Sequence, residues 1–278
     1  MLNPSGSIPG GATYCFEGKS VIVTGSARGI GKTIASAFGR AGAHVAICDI
    51  NVDDGEQTVL ELREAGCKAT FFRVDLAAKG EPQRMVEEVA DRLGGLDFLV
   101  NNARAGERLD FSEDTEDNWD LTLSVGLRAA CFASRRAIDI MGSRGGGSIV
   151  NIGSVSAILV SHESAAYHAA KAGMLQITRY LAVQAGSSRV RVNSILPGFI
   201  VQDEHQERYR RADNAAYRER VEQCHPLKRE GRSEDVANAA LFLCSESAGF
   251  ITGQEIIVDG GFTTRDPWAV LTARNVNP

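Results

Sequence analysis

Seven short runs rich in β-branched and aromatic residues punctuate this chain, and the stretches between them carry helical apolar spacing. The runs are SVIVTG (20–25), HVAICD (44–49), ATFFRVD (69–75), DFLVNN (97–102), GSIVNIGS (147–154), RVRVNSIL (189–196) and IIVDGG (256–261). Helices are predicted from the first run to about Ala41, over about Gly55–Ala65, over roughly 81–93, and before each of the later runs. Runs that are apolar on both faces and separated by helices build a parallel sheet from right-handed βαβ units. The predicted class is therefore α/β, a doubly wound parallel sheet in three layers. The chain has 278 residues, 44% of them hydrophobic, and neither an internal repeat nor a central Pro/Gly/Ser linker. That suits a single domain over 17–263, preceded by a flexible, Pro/Gly/Ser-rich arm (1–16) and followed by a tail (264–278).

The turn after the first run, TGSARGIGKT (24–33), ends in Gly31-Lys32-Thr33 as a nucleoside-triphosphate loop does. Such a loop needs four residues between its first glycine and that triplet. Here Ser26 holds that glycine's position and Gly25 falls one residue early, so the triphosphate reading fails. Gly25, Gly29 and Gly31 instead form G-x-x-x-G-x-G between a strand and a helix. Gly25 permits the tight turn, Gly29 leaves room for a pyrophosphate at the helix N-terminus, and Gly31 allows close helix–sheet approach. A Rossmann-like dinucleotide site is predicted, with Ser26, Arg28 and Ile30 in the turn. Asp49 ends the next run, 24 residues after Gly25. A carboxylate there accepts hydrogen bonds from an adenosine ribose and repels a 2′-phosphate, which favours NAD over NADP. Arg28 argues mildly the other way.

Bulk properties narrow the partners. A net charge of −5 gives no reason to expect nucleic acid, and no apolar run has the length of a membrane span. The first fifteen residues lack the basic and apolar regions of a signal peptide. Six separated cysteines without a C-x-x-C pair argue against a metal cluster and for reduced thiols in a cytoplasm.

In SVSAILVSHESAAYHAAK (154–171), Tyr167 and Lys171 stand four apart at a helix start and share one face. A lysine one turn from a tyrosine is expected to lower the phenol's pKa, and a phenol so tuned gives a proton to a carbonyl or takes one from an alcohol. Ser154, ending the preceding strand, is placed to hold the same oxygen.

Taken together, TGSARGIG (24–31), Asp49, Asp75, NNA (101–103), IVNIGS (149–154), Tyr167 to Lys171, PGFI (197–200) and TGQEIIVDGG (252–261) resemble the short-chain dehydrogenase/reductase family over residues 17–263. The resemblance implies Ser154, Tyr167 and Lys171 as the catalytic set, with Tyr167 the acid/base and Lys171 also on the nicotinamide ribose. It implies cofactor contacts from Ile50, Asp75 and Leu76, from Asn102 and Ala103, and from Pro197, Gly198 and Ile200. It further implies a small-molecule alcohol or ketone as substrate and commonly a homotetramer. Trp268 and Leu271 in the tail would then pack on a neighbouring subunit.

Three positions depart from the family pattern. Gly126 stands where an asparagine usually helps hold a relay water, so proton exchange must find another route. Arg104 replaces the glycine that normally follows NNA, and Gln202 replaces a common threonine. Arg104, Arg108 and His162 are expected on loops near the cleft, as a cationic pocket for an anionic or polyhydroxylated substrate such as a sugar acid, a sulfonate or a phosphorylated polyol. The competing expectation has Arg104 cover the cofactor itself or pair with Glu107 or Asp110, and leaves His162 as an exposed loop residue. Residues 202–226 are charged and helical and correspond to the family's lid. Two rival functions stand beside an NAD-dependent dehydrogenase: an NADP-dependent 3-oxoacyl or keto reductase, and a dinucleotide-binding sensor or scaffold without turnover.

Overall fold

The computed structural model describes residues 14–266. Nine strands form among them: β1 Ser20–Thr24, β2 His44–Asp49, β3 Lys68–Arg73, β4 Phe98–Asn101, β5 Gly147–Ile152, β6 Val190–Pro197, β7 Ile200–Val201, β8 Gly231–Arg232 and β9 Glu255–Val258. Their helices are α1 Gly29–Arg40, α2 Val52–Glu64, α3 Glu81–Leu93, α4 Glu116–Leu123, α5 Ala129–Ser143, α6 Ala165–Ala185, α7 Asp203–Arg210, α8 Ala215–Cys224 and α9 Ser233–Cys244.

Seven strands make one parallel sheet in the order β3-β2-β1-β4-β5-β6-β9, while β7 and β8 pair separately. Period-two alternation divides the core between the sheet's two faces. Val21 and Val23 of β1 join Ile34, Phe38, Val236 and Leu243 on the α1/α9 side. Ile22 joins Leu99, Val86, Val89 and Met141 on the α3/α5 side. Three layers result, and the predicted class and single domain hold. Strand order reverses between β1 and β4, and a crevice outside the carboxyl ends of the strands at such a point is where this architecture binds ligands.

Two boundaries differ from expectation. The N-terminal arm ends before residue 16: Phe16 is buried between Phe38 and Phe98, with ring centroids 5.4 and 5.0 Å away, and its N–H donates to the Ala41 carbonyl. Tyr14 stacks on Phe16 in turn. Apolar burial near α1 outweighs the Gly/Pro-rich composition immediately upstream. α2 begins three residues early, at Val52, because the Asn51 side chain accepts the Asp54 N–H and caps it. Gly55 is thereby inside the helix, where a Cβ would run into the Phe71 ring.

No helix among the described residues is long and apolar enough to cross a membrane, and no group of His, Cys, Asp or Glu among them is arranged to hold a metal ion. Trp268 and Leu271 lie outside the described residues.

Candidate active site

One cleft of about 2590 Å³ runs along the carboxyl ends of the strands, from the glycine turn past Asp49 to Tyr167 and on beneath α7 and α8. At its first end the surface is largely main chain. Gly25 has φ +62° and packs against Ala103, whose Cα would lie 2.8 Å from an added Cβ. A Cβ at Gly31 would strike the Gly25 carbonyl and, at 2.5 Å, the Asn102 carboxamide nitrogen. Thr24 Oγ1 accepts the N–H groups of Asn102 and Ala103, and Asn102 Nδ2 donates to the carbonyls of Thr24 and Gly25. Glycine is thus required where three backbones converge, and Asn102 braces the turn as well as lining the cleft.

The first turn of α1 has no side-chain cap and no acidic residue. Its unpaired N–H groups and positive dipole end therefore favour a phosphate group there. Asp49 sits at the end of β2, with Oδ2 accepting the Ala27 N–H (3.0 Å) and Oδ1 the Asn51 N–H (3.1 Å). Each oxygen keeps a further lone pair for a ribose hydroxyl. Arg28, Ile30, Ile50, Asp75, Leu76, Pro197, Gly198 and Ile200 all line the same cleft. These features fit a nicotinamide dinucleotide.

Ser26 is the exception among the expected cofactor residues. It is buried beneath the turn, its hydroxyl donating to the Val23 carbonyl and accepting the Cys48 N–H. The side chain ties β1 to β2 and does not face the cleft.

The start of α7 lies over this same end. Gln202 and Glu204 side chains stand over Gly29, so that an added Cβ would meet Gln202 Oε1, and Asp203 Oδ2 accepts from Thr33 Oγ1 at 3.2 Å. Two carboxylates at the first turn of α7 therefore approach the position suited to a diphosphate. Farther along the lid, Tyr209 and Tyr217 surround Phe199, and His225 packs between Phe199 and Phe262.

The catalytic candidates converge at the middle of the cleft. Ser154 follows the end of β5 by two residues and caps the short helical turn Val155–Ala157, its Oγ accepting the Ser156 N–H. Ser164 caps α6 by accepting the Tyr167 N–H, which places Tyr167 and Lys171 on the first two turns. Lys171 is buried, donates to the Ile152 carbonyl at 2.7 Å, and holds its Nζ 5.5 Å from the Tyr167 ring centroid. A buried chain fixes α6 against the sheet: Asn101 Nδ2 donates to Ser134 and Asn151, Asn151 Nδ2 donates to Thr178, and Thr178 donates to the Met174 carbonyl. Sequence reading took NNA and IVNIGS as family marks and missed this link. Two asparagines in apolar strands were its available signal.

Electrostatics correct one expectation. Burial pushes the Tyr167 phenol above its ordinary pKa; its hydrogen bond with Ser154 pulls it down, Glu163 pushes it up, and Arg104 and Arg108 pull it down. The Lys171 ammonium is drawn down to about 8, mainly by burial and then by Arg104, against which Glu163 raises it. Desolvation by burial is the largest influence on both groups, raising the phenol's pKa and lowering the ammonium's.

The substrate end also differs from expectation. Arg104 and Arg108 line the cleft, but both pair with Glu163 rather than with Glu107 or Asp110: Arg108 Nη2 lies 2.6 Å from Glu163 Oε1, and Arg104 Nη1 lies 3.8 Å from Oε2. Arg104 also reaches over the Tyr167 ring, 5.8 Å from its centroid. His162 lines the cleft from an exposed position. Glu163 was missed because nothing local in HES distinguishes it from a solvated acid.

Gly126 lies buried in a π turn, Ser124–Arg128, between α4 and α5. An added Cβ would make only ordinary contact with Ala170, at 3.5 Å, so space does not demand glycine there.

A family model described as enoyl-(acyl carrier protein) reductase matches residues 25–263. A protein of Rhizobium meliloti (strain 1021) described as "Probable galactose dehydrogenase" is 36% identical over 262 residues, 94% of this chain and 99% of its own. Among solved structures, a short-chain type dehydrogenase/reductase from Mycobacterium ulcerans superposes with a TM-score of 0.83 at 32% identity, covering 93% of this chain and 95% of that one. A 3-oxoacyl (acyl-carrier-protein) reductase from Agrobacterium tumefaciens C58 with NADP bound gives 0.82 at 29% identity, covering 89% and 95%.

Proposed function

The chain belongs to the short-chain dehydrogenase/reductase family of oxidoreductases, and from that premise we propose that it interconverts an alcohol and the corresponding ketone or aldehyde, with NAD as cofactor and a polar or anionic substrate. The observation carrying this reading is the convergence of Ser154, Tyr167 and Lys171 in the cleft that also holds the glycine turn and Asp49. When bound, the nicotinamide supplies a hydride acceptor or donor. Oxidation uses the phenolate form of Tyr167: once the phenol has given up its own proton, its oxygen takes the substrate's hydroxyl proton as the C–H bond breaks and its electron pair leaves with the hydrogen toward the cofactor. Ser154 hydrogen-bonds the substrate oxygen, and Lys171 offsets negative charge on the phenolate from below. In reduction the phenol donates that proton, and its raised pKa keeps it protonated at neutral pH.

Asp49 supports NAD because its carboxylate, already held by two backbone N–H groups, lies where a 2′-phosphate would need a cation. The second reading is an NADP-dependent keto reductase. Arg28, exposed on the cleft wall, and the NADP-bound solved relative favour it. Assembly as a homotetramer is the further expectation that the family resemblance carries.

A panel of sugars, sugar acids and small sulfonated alcohols with NAD and NADP, followed by nicotinamide absorbance, tests the assignment. Tyr167→Phe should lower kcat by roughly 10²–10⁴-fold while leaving cofactor affinity unchanged. Intact turnover in that variant rules the mechanism out.

A further inference from the structure

Resting on the dehydrogenase reading above, we propose that Arg104, Arg108 and Glu163 form a receptor for a single monoanionic group on the substrate, a carboxylate or sulfonate rather than a phosphate ester, with Glu163 as its positioning residue.

The three side chains come from two segments, each fixed by its own anchors. The arginine loop is held where Asn118 Oδ1 accepts the Glu107 N–H at 2.8 Å and where Thr122 Oγ1 donates to the Ala105 carbonyl. Glu163 sits immediately before the cap of α6. There Ser161 N–H donates to His168 Nε2 (3.0 Å), His168 Nδ1 donates to the Ser164 carbonyl (2.8 Å), and Ser156 and Ser161 share a hydroxyl bond. The carboxylate is thus rigidly presented at the start of a 21-residue helix, where the helix dipole favours it.

Exposure shows which group faces outward. The Glu163 side chain is 13% exposed, whereas those of Arg104 and Arg108 are 49% and 66% exposed. The acid lies underneath and orders two long side chains that would otherwise lose considerable entropy on gripping a ligand. Each guanidinium has five N–H donors, and Glu163 engages only a fraction of them. The remaining donors are open toward the cleft that contains Tyr167.

Charge then sets the class of ligand. Two cations and one anion leave a net of one positive charge. A carboxylate or sulfonate matches it and gains the paired geometry that guanidinium offers. A phosphate monoester near pH 8 is a dianion. Its second charge would meet no free cation in the group and would face Glu163 across the arginines. The arginines lie on the Tyr167 side, Arg104 over its ring, so an anion held there puts the neighbouring substrate carbons beside the phenol.

Methanesulfonate and methyl phosphate differ mainly in charge at pH 8, and their dissociation constants can be read by ligand-observed NMR on the full-length protein saturated with NADH. Wild type should bind methanesulfonate at least as tightly as methyl phosphate. Glu163→Gln should shift the ratio toward methyl phosphate by roughly fivefold, the effect of one unit charge a few ångströms away in a hydrated cleft. Glu163→Asp should restore the wild-type order, which a merely structural loss would not do. Arg104→Gly combined with Arg108→Gln should abolish methanesulfonate binding. Tighter methyl phosphate binding by wild type, an unchanged ratio in Glu163→Gln, or methanesulfonate binding that survives loss of both arginines overturns the proposal. NADH binding is read separately by its fluorescence. If it fails, the same titrations on the protein without NADH still test the receptor, while the dehydrogenase reading falls by itself.

Discussion

At the glycine turn the cleft is lined by main chain, shaped by residues that lack side chains. At the Tyr167 end it is lined by charged and aromatic side chains carried on loops and on the lid. The first wall has one geometry, because Gly25, Gly31, Thr24 and Asn102 leave no room for another. The second wall is decided by pairing: Arg104 and Arg108 take up their positions because Glu163 is there. A cofactor common to many enzymes suits the rigid wall, and a particular substrate suits the adjustable one.

Gly31→Ala should have the largest effect on this contrast. The added methyl must displace the Gly25 carbonyl or the Asn102 carboxamide, and overpacking of about 1–3 kcal/mol corresponds to roughly five- to 150-fold weaker cofactor binding. Titration of NADH fluorescence measures it, and an unchanged dissociation constant would show that the first wall adapts as readily as the second.

A smaller effect is expected where the two walls meet. Asp203→Asn with Glu204→Gln removes two negative charges near Gly29 and the uncapped start of α1, and should tighten cofactor binding by roughly threefold per charge at low ionic strength. The gain should shrink in salt. Equal affinity in wild type and variant at all salt concentrations would mean that the lid's acids do not compete with the cofactor.

The smallest change is predicted for Gly126→Asn. Its Cβ meets only Ala170 at ordinary contact distance, so the melting temperature should shift little. A solvent isotope effect on turnover that differs from wild type would place residue 126 on the proton path. A strongly lowered melting temperature would show instead that the π turn needs glycine.

Legibility in the sequence follows the same divide. The seven sheet strands and the glycine turn announce themselves because burial on both faces and phosphate approach each impose a local residue pattern. Tyr167 and Lys171 were legible for the same reason, four apart on one helix. Ser26 was misjudged because motif membership does not say which way a side chain points. Phe16 was assigned to the arm because its partners, Phe38 and Phe98, lie 22 and 82 residues away. The phenol's predicted acidification failed because adjacency to Lys171 was visible and burial was not.

By itself, the sequence determined the sheet, the glycine turn and the pairing of Tyr167 and Lys171 on one helix face, since each depends on short-range periodicity or steric demand. Only tertiary structure decided that Glu163 lies beneath two arginines, that α7 places its carboxylates over Gly29, and that Asn101 and Asn151 lock α6 to the sheet. Those arrangements join residues 27 to 175 positions apart, and ion pairing and desolvation depend on distance in space, which no local pattern encodes.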